Sequence, residues 1–228
     1  LGVLGQNVLR EKQALDFDKF SGLIEELLLG YGMCRLSIAV PQGFSYGGVS
    51  SLKGKTIATS YRGLLSAYLA ANNIDADIVT MEGAVEIAPR THLADVICDL
   101  VSTGNTLVSN GLVERDVIME SEAVLVKKQI DDKDIAKLCD KLMSRIKAVQ
   151  RAAKSRYIML NSPSKSLPAI KAVLPGSQSP TVMPLQGHED MVAVHAVCEE
   201  GVFWDTMEDL KANGANSILV VPIEKMLD

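Results

Sequence analysis

Apolar runs alternate with amphipathic segments through the first half of the chain, as strands separated by helices do. Leu1 to Gly5 reads as a short strand and turn, and Phe20 to Leu29 as a helix or loop. Cys34 to Val40 alternates as a strand, Pro41 stops it, and Gly43 to Gly48 is a loop. Lys55 to Thr59 reads as another strand; behind it Leu64, Leu65, Tyr68 and Leu69 recur at helical spacing until Asn72-Asn73. Asp77 to Met81 is a strand, Ala84 to His92 a helical segment, and Ala94 to Val101 a buried strand running into Ser102-Thr103-Gly104-Asn105-Thr106. This alternation predicts a mainly parallel sheet, with ligands at the carboxyl ends of its strands.

Val117 to Met119 and Ala123 to Val126 are strand-like runs that lead the chain back to a first lobe. Asp131-Asp132 opens a long helix with an apolar stripe at Ile135, Leu138, Leu142, Ile146 and Val149, and basic residues gather toward Lys154. From Tyr157 the pattern is self-contained. Tyr157 to Leu160 is a strand; Ser166, Pro168, Ile170 and Val173 suit a helix closed by Pro175-Gly176; Thr181 to Leu185 and Met191 to Cys198 are two strands. Phe203, Met207 and Leu210 form a second helical stripe ended by Gly214, and Ser217 to Val221 is the last strand. The order βαββαβ predicts a small ferredoxin-like domain, a fold that does not specify function.

The chemistry concentrates where the buried strand ends. Asp99 sits at that end, Gly104 lets backbone approach an anion, and Thr103 and Thr106 add hydroxyl donors to the turn's N–H groups. Taken alone, the run reads equally as an ordinary strand-to-helix turn capped by Ser or Thr. Glu86 and Arg90 are four apart and could be only a surface pair. His92, His188 and His195 share no metal-like spacing, and His195, amid apolar residues, suits a core or interface role.

The stretch Glu86-Ile87-Ala88-Pro89-Arg90-Thr91-His92-Leu93-Ala94-Asp95-Val96-Ile97-Cys98-Asp99-Leu100-Val101-Ser102-Thr103-Gly104-Asn105-Thr106-Leu107 resembles the signature of the ATP phosphoribosyltransferase family. The resemblance extends through Gly5-Gln6-Asn7-Val8-Leu9, Cys34-Arg35-Leu36-Ser37, Lys55 to Tyr61, Ser155 to Met159 and Pro222 to Met226. It implies the long form of the enzyme. The fold expected from it is α/β: a two-lobed, periplasmic-binding-protein-like catalytic unit at 1–153 and a regulatory, histidine-binding ferredoxin-like domain at 154–228. Lobe I spans 1–33 and about 113–153, and lobe II about 34–112. The chain begins without Met inside a strand and turn, so lobe I is expected to be incomplete.

The resemblance also implies roles. Ser102, Thr103, Gly104, Asn105 and Thr106 hold the 5'-phosphate of phosphoribosyl pyrophosphate, Asp99 holds ribose hydroxyls, and Glu86 lies beside the cleft. Gly5, Asn7, Thr59, Ser60 and Tyr61 lie near the nucleotide, and Asn161, Ser179, Thr181, Val197 and Ser217 wall a histidine effector pocket. On residues alone the 175–181 turn is only a polar connection, and Tyr61 reads equally as a packing residue. The implied reaction joins ATP, through N1 of adenine, to phosphoribosyl pyrophosphate, with Mg2+ carried by substrate and with feedback by histidine. The expected assembly is a homo-oligomer, dimer to hexamer. The absence of any Ser-His-Asp or Cys-His arrangement agrees with direct displacement.

Composition narrows the alternatives. A net charge of −5 with dispersed basic residues argues against a nucleic-acid surface. No run approaches the ~20 apolar residues of a membrane span and no signal-like segment opens the chain, so a cytoplasmic protein away from membranes is expected. Cys34, Cys98, Cys139 and Cys198 are scattered and read as reduced thiols. Two other classes remain open on sequence: a two-lobed small-molecule binding protein and a non-catalytic regulatory fragment.

Overall fold

In a computed structural model that describes residues 1–174, 180–199 and 203–226, the chain divides into two units, Leu1–Asp131 and Asp132–Asp228. The expected domain boundary at 153/154 falls at the far end of a helix that groups with the second unit.

The first unit opens with β1 (Gly2–Gly5), α1 (Gln6–Leu15), the single turn α2 (Phe17–Phe20) and β2 (Leu23–Leu28). Next come β3 (Cys34–Pro41), β4 (Thr56–Thr59), α3 (Arg62–Ala71), β5 (Asp77–Thr80), β6 (Val96–Val101), α4 (Asn105–Ser109), β7 (Leu112–Ser121) and β8 (Ala123–Lys128). A small antiparallel sheet runs β1-β8-β2, and a larger one runs β5-β4-β6-β3-β7. Phe20 to Leu29 is thus largely a strand. Its helix-like spacing of Leu23, Ile24, Leu27 and Leu28 arises from a bulge between Glu25 and Leu27 where β2 pairs with β8.

The larger sheet is mixed, which corrects the expectation of a mainly parallel one. β4 runs parallel to β5 and β6, but β3 runs antiparallel to β6 and β7, because β3 and β7 carry the chain into and out of this lobe. Lobe II accordingly extends through Ser121 rather than stopping near 112. Both faces are covered: Leu36, Ile38, Val40, Ile57 and Leu65 pack on one side, and Ala39, Ala58, Val85, Ile97 and Leu107 on the other. That double burial explains why these strands read as near-continuous apolar runs.

The expected helix at Ala84 to His92 is instead one 3-10 turn, Val85–Ile87. Ala84 and His92 both adopt left-handed backbone (φ 51 and 59), and Pro89 removes a donor between them, so no regular helix forms.

Helix α1, which no apolar stripe announces, packs on α3. The Tyr61 side chain makes no cap; buried Glu11 does the work instead, accepting from the amides of Gly63 and Leu64, each at 2.8 Å. The two helices approach so closely that a Cβ on Gly63 would lie 2.9 Å from the Ala14 Cβ and 3.1 Å from the Leu15 Cγ. Gly63→Ala should therefore destabilise the fold by about 1–3 kcal/mol, read as a lower urea midpoint.

The second unit contains α5 (Lys133–Ala153), β9 (Ser155–Pro163), α6 (Leu167–Val173), β10 (Thr181–Leu185), β11 (His188–Glu199), α7 (Phe203–Ala212) and β12 (Asn216–Pro222). After α5 the order is βαββαβ, and the antiparallel sheet β10-β11-β9-β12 is the ferredoxin-like arrangement expected. Ile158, Leu160, Val194, Ile170 and Leu210 form its core. The Pro175-Gly176 helix stop lies outside the described residues. Asp132 caps α5 by accepting from the amides of Asp134 and Ile135. The stripe read from its sequence is not a buried seam: Ile135, Leu138, Leu142 and Val149 are exposed, and Ala148 and Ala152 are buried.

All four cysteines are free thiols. Among the described residues no helix is long and apolar enough to cross a membrane.

Candidate functional site

The mixed pairing gathers several chain segments at one edge of the larger sheet. The carboxyl ends of β4 and β6 lie there, and because β3 is antiparallel its first residues, Cys34 and Arg35, lie there too, opposite Ser121 and Glu120 of β7. A cavity of about 530 Å3 opens at this edge, lined by Gln6, Cys34, Arg35, Ser102, Glu120 and Ser121 among others.

After β6 the chain turns through Ser102 and Thr103 to Gly104, whose φ of 82 lies in the left-handed region that glycine tolerates. Among the described residues, no hydrogen bond occupies the amides of Thr103, Gly104, Asn105 or Thr106, and Ser102, Thr103, Asn105 and Thr106 are exposed. The helix that follows has only five residues, and no side chain caps its start. Leu107 anchors the turn by burying its side chain against Val101 and Leu112.

Asp99 stands beside this turn, half-buried, with its Oδ1 accepting from the Leu100 amide at 2.8 Å. Burial holds its carboxyl above the usual carboxylate range; the Leu100 hydrogen bond opposes that shift and the Glu86 carboxylate adds to it. Glu86 lies on the 3-10 turn over buried Val85, near enough for its charge to reach Asp99. No ion pair joins Glu86 to Arg90 among the described residues, and the loss of the expected helix removes the spacing that would have formed one. No cluster of three or more metal-ligating side chains occurs among the described residues.

The residues expected near the nucleotide form a bonded network. Asn7 donates from Nδ2 to the Tyr61 hydroxyl at 2.8 Å and accepts at Oδ1 from the Ser121 hydroxyl at 3.0 Å. A Cβ on Gly5 would run into that Asn7 carbonyl, which accounts for glycine there. Thr59 is buried and accepts from the Tyr61 amide at 2.9 Å, and Ser60 donates to the Met81 carbonyl at 2.7 Å. Burial pushes the Tyr61 phenol up, opposed by its bond with Asn7. Burial pushes the Cys98 thiol up to about 12, an effect that Thr59 opposes, and makes it a poor nucleophile.

In the second unit, Asn161, Thr181 and Val197 share the face of the sheet opposite the buried Ile158 and Leu160. Thr181 pairs with His195, Asn161 with Ala193, and Val197 with Tyr157. Ser217 sits in a bulge of β12 with φ 52, and Ser179 lies outside the described residues. His195 is half-buried on this same face and is bonded to the Tyr157 hydroxyl at 3.1 Å.

Two groups escaped sequence reasoning. Glu11 caps α3, and Glu114 of β7 binds Arg35, which also reaches the Ser102 carbonyl. The only sequence signal for either was a charged residue in a segment that packs on others.

Residues 1–148 match the family described as ATP phosphoribosyltransferase, and residues 152–225 match the family described as HisG, C-terminal domain. An ATP phosphoribosyltransferase of Maricaulis maris (strain MCS10) is 47% identical over 229 residues, spanning 99% of this chain and 77% of that protein. A solved chain from the ATP phosphoribosyl transferase (HisG:HisZ) complex of Thermotoga maritima superposes with a TM-score of 0.53 at 27% identity, over 62% of this chain and 66% of its own. With two family matches in tandem and a relative similar over 99% of this chain, the chain belongs to the ATP phosphoribosyltransferase family, the transferases of the first step of histidine biosynthesis.

Proposed function

We propose that the edge of the larger sheet is the phosphoribosyl pyrophosphate site, with Ser102 to Thr106 gripping the 5'-phosphate and Asp99 the ribose hydroxyls. The observation that carries this is the exposed turn with four unbonded amides, directly following the strand that carries half-buried Asp99. Donors fixed in advance lose little on meeting an anion, and a carboxylate accepts from ribose hydroxyls without reorganising.

In the transfer, N1 of adenine displaces pyrophosphate at the anomeric carbon, and positive charge builds on the ribose ring. The Asp99 and Glu86 carboxylates are the groups that would stabilise that charge. Asp99 and Glu86 offer the carboxylate oxygens that Mg2+ prefers and would be the residues to hold an ion carried in by the substrate. When bound, such an ion neutralises the departing pyrophosphate. Asn7, Thr59, Ser60 and Tyr61 then act chiefly by fixing the cleft wall on which the nucleotide would rest.

The second unit is proposed to take histidine as effector on the face shared by Asn161, Thr181 and Val197, within a homo-oligomer that couples this face to the transferase site. Separate calorimetric titrations test the scheme. Binding of both phosphoribosyl pyrophosphate and histidine supports it; histidine alone indicates a regulatory fragment, and neither a different small-molecule protein. Thr103→Val should weaken phosphoribosyl pyrophosphate binding about tenfold and leave the melting temperature unchanged.

A further inference from the structure

Behind the proposed phosphate turn lies a charged clamp. Arg35 extends along the sheet face from the start of β3, with Nε and Nη2 donating to the two carboxylate oxygens of Glu114 on β7 and Nη1 donating to the Ser102 carbonyl at 3.1 Å. Ser37, two residues along the same strand face, donates to Glu114 Oε1 at 2.7 Å and holds that carboxylate in place. The pairing keeps the Glu114 carboxyl below the usual range and the Arg35 guanidinium above its own.

From this geometry we propose that Arg35 is a positioning residue that aims the phosphate turn, with Glu114 as the group that aims Arg35. A trans peptide places its C=O and N–H on opposite sides. Drawing the Ser102 carbonyl back toward the sheet therefore turns the Thr103 N–H outward, into the position where the anion is bound. The bidentate Glu114 contact occupies the guanidinium and neutralises it, so Arg35 serves the turn's backbone instead of swinging out to become a phosphate ligand itself. The turn is then stiff before substrate arrives, and less ordering is required on binding.

This inference rests on the phosphate reading of the turn, and the two fail differently. Arg35→Met should raise the calorimetric Kd for phosphoribosyl pyrophosphate about tenfold while the Kd for ATP stays within about twofold. Arg35→Lys should recover most of the loss, since one ammonium can hold the Ser102 carbonyl. Glu114→Gln should weaken binding in the same direction as Arg35→Met, and it reads the clamp if the Met variant fails to fold. An unchanged Kd in Arg35→Met, equal losses for both ligands, or tighter binding in Glu114→Gln would overturn the clamp. In each of those cases a weakened Thr103→Val leaves the phosphate site standing. Unchanged binding in Thr103→Val as well removes the site and the clamp together.

Discussion

Asp99→Asn is expected to lower transfer at least about a hundredfold and to raise the melting temperature at pH 7. The first effect follows from losing the carboxylate charge proposed to act on the ribose; the second arises because burial and the Glu86 carboxylate hold the Asp99 carboxyl above its ordinary range. In the unfolded chain this group ionises near pH ~3.9, so the native state carries an electrostatic penalty that appears as pH rises from there through the higher folded value. At neutral pH the penalty is present in full, and Asn removes it while its Oδ1 keeps the Leu100 hydrogen bond. At a pH below the unfolded value both states are protonated, and the stabilisation should vanish. Melting curves at pH 7 and about pH 3 give the first readout and a coupled pyrophosphate-release assay the second. A variant that loses activity and also melts lower at pH 7 would place Asp99 among structural residues.

The strands of lobe II were legible because both faces of their sheet are buried, and an apolar run between turn residues has few other solutions. Their directions were not. Whether β3 runs with or against β6 depends on where the chain enters the lobe, which no local pattern around Cys34 to Val40 encodes. Helix α1 escaped notice for the opposite reason: only Asn7, Leu9 and Glu11 are buried, so there was no apolar stripe to count. In Leu23 to Leu28 a bulge shifted the alternation into helical spacing, and pairing with β8 overrode it.

For the site, a motif could name the turn and Asp99 because they are contiguous in sequence. The wall residues named with them, Asn7, Thr59 and Tyr61, prove to be bonded chiefly to one another. Glu114 and Glu11 act over separations that sequence spacing does not reveal, the first through Arg35 and the second at the start of α3. A charge in an unremarkable segment is a signal only after the partner is seen. The α5 stripe teaches a related limit. Periodicity told which positions share a face, and exposure of Leu138 and Leu142 shows that a shared apolar face need not be covered within the same unit.

Gly104→Val should abolish useful phosphoribosyl pyrophosphate affinity with little damage to the core. The space around Gly104 is open, the nearest atom to an added Cβ being Val101 Cγ1 at 4.0 Å, so crowding does not decide the outcome. Backbone does. A φ of 82 is left-handed, and a β-branched residue there carries about 1–2 kcal/mol of strain. The turn has two ways to respond. If Leu107 and Arg35 hold it in place, the strain appears as lost stability of that size and binding survives. If the exposed turn relaxes to negative φ, stability is kept, and the amides of Thr103 and Asn105 no longer converge. The second response is the easier, because the clamp fixes the Ser102 carbonyl and Leu107 fixes the start of the helix, while among the described residues no hydrogen bond holds the Gly104 amide between them. Losing two donors to a dianion corresponds to about 10- to 100-fold or more in Kd, measurable by calorimetry against an unchanged ATP affinity. Retained phosphoribosyl pyrophosphate affinity with a lowered melting temperature would mean that the clamp is stronger than the strain, and the size of that drop would then measure it.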